Sequence, residues 1–70
     1  MMPLTMARVG EPLKVKKVGG LDETKRFLNN LGFTEGADIR IVSSIAGNMI
    51  VQVRDARIAV DKDMAKKIMV

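Results

Sequence analysis

A chain of 70 residues with no cysteine and no histidine excludes disulfides, soft-metal sites, imidazole bases and thiol nucleophiles. So short a chain buries only ~60% of its extended surface, so one apolar core must hold it together, with self-association (a homo-oligomer) as the remaining support. The 47% apolar content argues for a folded domain, and the net charge of +4 favours acidic partners although the basic residues form no run.

No apolar stretch approaches the ~20 residues of a membrane helix. The opening MMPLTMARVGE lacks the basic start and apolar stretch of a secretory signal. The expectation is a single domain over residues 1–70, cytoplasmic and not membrane-inserted.

Thr5 is placed to cap a short turn over residues 6–9, closed by Gly10. From Pro12, PLKVKKV alternates Leu13 and Val15 with Lys14 and Lys16, the pattern of a half-buried strand. Lys17 beside Val18 breaks the alternation, which predicts a bulge or the strand's end before Gly19 and Gly20.

A helix is predicted over about residues 22–31. Asp22 is its expected N-cap, and Glu23 complements the helix dipole. Thr24, Phe27, Leu28 and Leu31 fall at i, i+3, i+4 and i+7, one apolar face. Gly32 should end the helix in left-handed geometry, bringing Leu28 and Phe33 together as a Schellman motif does. Gly36 marks the following turn.

Three meandering strands follow. ADIRIVSSI should bury Ile39, Ile41 and, past a bend, Ile45. MIVQVR should bury Met49, Val51 and Val53, and RIAV should bury Ile58 and Val60. The first hairpin loop is expected at Ala46–Asn48 with positive φ at Gly47 and Asn48, the second at Asp55–Ala56. Asp61 should cap a short helical turn with Met64, Ala65 and Ile68 inward, and residues 68–70 should return as a closing strand. This order predicts a mostly β fold, a small SH3-like barrel with one inserted α-helix and a short C-terminal helical turn. Closure into a barrel is the expected way to remove unpaired edges.

The chemistry is sparse. Ser43 and Ser44 have no base nearby in sequence, and no catalytic residue is expected. Asp55, Asp61 and Asp63, with Glu35 and Asp38, are the hard oxygen ligands, yet cap, turn and dipole roles account for the aspartates more simply. No metal site and no cofactor are expected. Phe27 and Phe33, the only aromatics, are both expected to be buried, which leaves nothing for base stacking and makes nucleic-acid binding unfavoured. The outer helix face and the turn beyond it, Lys25, Arg26, Asn29, Asn30, Thr34 and Glu35, are polar residues on a rigid element that packing does not claim. They are the expected partner-binding surface.

The segment KRFLNNLGFTEG sets Arg26, Leu31, Gly32, Phe33 and Gly36 at a recognisable spacing, and Ile58, Ala59, Val60, Ala65, Ile68 and Val70 complete it. On these residues the chain resembles the FeoA family from about Leu4 to Val70. It departs in carrying Asn29 and Asp55-Ala56 where that family often has leucine and glycine. The resemblance implies an SH3-like barrel and a non-enzymatic cytoplasmic role in ferrous iron transport. The implied partner is FeoB, a membrane permease with a cytoplasmic GTPase domain. The alternatives are an RNA-binding small barrel, on charge, or a metal-sensing domain like the C-terminal module of iron-dependent repressors.

Overall fold

A computed structural model describes all of residues 1–70. A single 3-10 turn, Leu4–Met6, precedes β1 (Pro12–Lys14), β2 (Lys17–Val18), α1 (Asp22–Asn30), β3 (Asp38–Ile45), β4 (Asn48–Val53), β5 (Ala56–Val60), α2 (Lys62–Ala65) and β6 (Ile68–Met69). One antiparallel sheet runs in the order β1-β3-β4-β5, and β2 pairs with β6 in a second. The architecture is the small, mostly β, SH3-like one that the element order predicts.

The break at Lys17 is neither a bulge nor an end; it is an exchange of partners. Val15 donates to the Ala37 carbonyl and accepts from Gly36 N–H, whereas the next amide, Lys16, donates to Met69. One bent strand thus belongs to both sheets and carries Val15, fully buried, at its corner. The 3-10 turn comes earlier than the Thr5 reading places it. Pro3 precedes it without a side-chain cap, and the reason for its position is Leu4, which is wholly buried in the core. Reciprocal bonds between Met2 and Val70 hold the two ends of the chain together.

The helix spans nearly the predicted residues, but its N-cap is Leu21, not Asp22. The Leu21 carbonyl accepts the first helical bond, from Lys25 N–H, and no side chain caps the start. Asp22 and Glu23 lie in the first turn, where they complement the dipole. At the other end Gly32 has φ +108, Phe33 N–H donates to the Leu28 carbonyl and Gly32 N–H to Asn29. Those two bonds are the Schellman pair, and Leu28 and Phe33 lie fully buried in one core.

The predicted apolar face is only partly used. Leu28 is buried, but Phe27 is 48% exposed, against the sequence expectation. Consecutive helical residues differ by about 100° around the axis. With so short a helix docked through Leu28 and the Schellman end, Phe27 falls at the rim of the contact.

The β3–β4 ladder explains a second departure. Ile39 and Ile41 face the core, but the register shifts between Ile41 and Ser43. Val42 is the extra residue of a bulge, and beyond it the alternation is inverted. Ile45 therefore points outward at 76% exposure, although its spacing from Ile41 predicts burial. The first hairpin turn is one residue shorter than predicted and the second lies one residue earlier. Ile45 pairs with Asn48 and Val53 with Ala56, so the turns are Ala46-Gly47 and Arg54-Asp55. The positive φ values fall on Ala46 (52°), Gly47 (86°) and Arg54 (54°), not on Asn48. In the second turn the left-handed conformation thus falls on Arg54, a residue with a Cβ. In β5, Val60 is buried and Ile58 half-buried against the core.

Asn48, freed from the turn, accepts a bond from Lys62 N–H through Oδ1, and Asp61 Oδ1 accepts from Met64 N–H at 2.8 Å. Asp61 thus caps α2 as expected. Asp61→Ala is expected to lower stability by about 1 kcal/mol, read as an earlier urea midpoint with an unchanged slope. The predicted closure is incomplete: β1 and β5 are edge strands of the larger sheet, with no ladder joining them.

Candidate functional site

Two surface grooves lie on either side of α1. The first is polar, about 300 Å³, and is lined by Lys17, Val18, Lys25, Asn29, Thr34 and Glu35. Four of the six residues expected at a partner surface therefore converge. Arg26 and Asn30 are exposed on α1 but lie outside this lining. Lys17 and Val18, not among those six, complete the lining from β2, which ends just before α1.

The helix and one turn hold this groove rigid. Ala37 N–H closes a β-turn onto the Thr34 carbonyl, with Gly36 at φ +84 in its third position, where type II geometry requires a positive φ. Gly36 N–H then bonds to Val15 at 2.7 Å. Thr34 and Glu35 are thus displayed from a turn pinned to the strand corner. The protein's ion pair, Lys14–Asp38 at 3.2 Å, lies elsewhere and is exposed, worth about 0–1 kcal/mol. Lys17, Lys25 and Glu35 have no intramolecular ion pair. Charges of both signs in one groove suit a protein surface better than a polyanion.

The second groove is apolar, about 490 Å³, with Phe27, Ile45, Met49, Ile50 and Met64 among its lining residues. It exists because the Val42 bulge turns Ile45 outward and because Phe27 stands at the rim of the helix contact. Ile50 is 42% exposed. The shared feature of both grooves is α1, which gives Lys25 and Asn29 to one and Phe27 to the other. A half-exposed aromatic and a set of polar side chains thus stand on one short helix.

Little here resembles a reaction centre. Neither Ser43 nor Ser44 takes part in a side-chain hydrogen bond. No group of three or more acidic side chains converges to hold a metal ion. No helix is long and apolar enough to cross a membrane.

Bent strand, inserted helix, meander and closing strand define the class, a small SH3-like β domain. The chain belongs to the FeoA family: the FeoA domain model matches residues 2–70. A Methanocaldococcus jannaschii protein named as Fe(2+) transport protein A is 30% identical over 70 residues, covering the whole of this chain and 85% of that one. A crystal structure described as the iron uptake regulatory protein FeoA superposes with a TM-score of 0.88 at 26% identity, over 96% of this chain and 91% of that one. Stenotrophomonas maltophilia FeoA, a procaryotic SH3 domain protein solved with zinc, gives 0.86 at 28% identity, over 99% and 88%. A manganese-dependent transcriptional repressor shares the fold at a TM-score of 0.85 and 19% identity over 34% of its chain. That likeness carries the fold alone. Family membership supports an accessory role in ferrous iron transport.

Proposed function

We propose that this protein is a non-enzymatic, cytoplasmic accessory of ferrous iron transport that binds the cytoplasmic part of a FeoB-type, GTPase-linked permease. The observation that carries the reading is the exposed Phe27 on α1, set between the polar groove of Lys17, Lys25, Asn29, Thr34 and Glu35 and the apolar groove of Ile45, Ile50 and Met64. Phe27, Ile45 and Ile50 are exposed together in one groove, and a contiguous apolar patch rimmed by polar residues is the mark of an interaction surface, where a single exposed side chain is not. Arg26 and Asn30 extend the same face as its polar rim.

A calorimetric titration of the full chain against the permease's cytoplasmic domain tests this. Saturable binding is expected, weakened at least about tenfold by Phe27→Ser, the usual penalty for truncating an interface anchor. Lys25→Glu should weaken it less and mainly through the association rate. Absence of binding at ~100 μM, an affinity of roughly 5 kcal/mol, rules out direct contact.

A further inference from the structure

The two edges of the larger sheet are unequally protected. β1 begins with Pro12, which has no N–H to offer, and Lys14 stands on it. Proline and lysine are the usual means of blocking an edge from pairing. β5, Ala56–Val60, has no proline and a single charge, Arg57. Its hairpin sets the phase of the ladder. Ala56, Ile58 and Val60 bond to Val53, Val51 and Met49, so the N–H and C=O groups of Arg57 and Ala59 point away from β4. Neither residue makes a backbone hydrogen bond outside the ladder, and both are exposed.

We propose that β5 pairs antiparallel with β5 of a second copy of this chain, across a two-fold axis at Ala59. Charge selects this register. An axis at Arg57 sets two arginines opposite each other, and like charges directly opposite are unfavourable; an axis at Ile58 sets Arg57 opposite Ala59, with no acidic partner. With the axis at Ala59, the alanines exchange two backbone bonds, and Arg57 of each copy lies opposite Asp61 of the other. Asp61 continues the strand in extended geometry (φ −77°, ψ 170°). Its Oδ1 caps α2, which leaves Oδ2 for the arginine. Arg57 is already aligned, its Nε donating to Gln52 Oε1 at 3.3 Å, with its terminal nitrogens free. Ile50, the cross-strand partner of Ala59, extends an apolar row through both alanines to the second copy's Ile50.

This goes beyond the permease reading and is tested without the permease. Sedimentation equilibrium of the full chain, from micromolar to millimolar, should show a reversible dimer that weakens with salt. Ala59→Pro removes an outward N–H that the monomer does not use, a substitution edge strands tolerate. It should keep the native circular dichroism and lower association at least about tenfold. Arg57→Glu, which removes no backbone bond of the ladder and only the exposed side-chain bond to Gln52, should do the same by facing Asp61 with a like charge. In the unsubstituted chain, the Arg57 and Ala59 amides should gain exchange protection as concentration rises. A chain monomeric to millimolar concentration, or a dimer that survives either substitution in a folded variant, overturns the proposal.

Discussion

Phe33→Ala is expected to remove about 3–5 kcal/mol of stability, the usual result of emptying a buried aromatic site. Phe33 is the largest fully buried side chain, and it closes the Schellman end of α1 against the core. Domains have about 5–15 kcal/mol in total, and short chains sit at the low end. The variant should therefore be largely unfolded well below the native melting temperature. The other phenylalanine supplies the control. Phe27, 48% exposed, should lose only about 1 kcal/mol as alanine, since only about half of a side chain worth ~1.5–3 kcal/mol is buried. Urea unfolding of the two variants checks the contrast. Equal losses would contradict the placement of Phe27 at the rim and remove the basis for its role as an anchor.

Gly32→Ala should be the next most damaging change, for two separable reasons. Its φ of +108 is disfavoured for any residue with a Cβ, which alone gives about 1 kcal/mol or more. A Cβ at this position would also meet Val53 Cγ1 at 2.8 Å, and Val53 lies in the packed core, where overpacking adds about 1–3 kcal/mol. The expected total is about 2–4 kcal/mol. A loss of 2 kcal/mol lowers the melting temperature by about 8–16 °C in a domain of this size. Gly36→Ala separates the two contributions. It too has positive φ, +84, but a Cβ there meets nothing within 4 Å. It should show the conformational loss alone, about 1 kcal/mol. If calorimetry finds the two alanine variants equal, the Val53 contact is not what makes position 32 specific for glycine.

The boundaries of α1, its glycine stop, the Asp61 cap and the inward rows Ile39–Ile41 and Met49–Val51–Val53 were legible because each rests on neighbours within a few residues. A Schellman end needs only residues 28–33, and a strand's face is read from its own alternation. The candidate site was half legible. Lys25, Asn29, Thr34 and Glu35 stood out as polar residues with no packing duty. Lys17 did not, because in sequence it reads only as the residue that breaks a strand's alternation, and its place in the groove depends on how β2 and α1 pack. Asp22 misled because aspartate is favoured both as an N-cap and in the first turn.

Phe27 and Ile45 show the same division on the apolar side. Their periodicity assigns both to the core side; Phe27 reaches only the rim of that face and Ile45 is turned away from it. How much of a short helix's face is covered depends on where the helix docks. Whether the fourth alternate residue of a strand stays inside depends on whether an extra residue, here Val42, is accommodated before it. Local sequence determined most of this protein's elements, the glycine stop of α1, the Asp61 cap and most of its core, since those follow from backbone geometry and hydrogen bonds closed over short spans. Only the tertiary structure decided which apolar groups remained in water and which strand edge stayed open. Both are properties of long-range packing, which no run of neighbouring residues encodes.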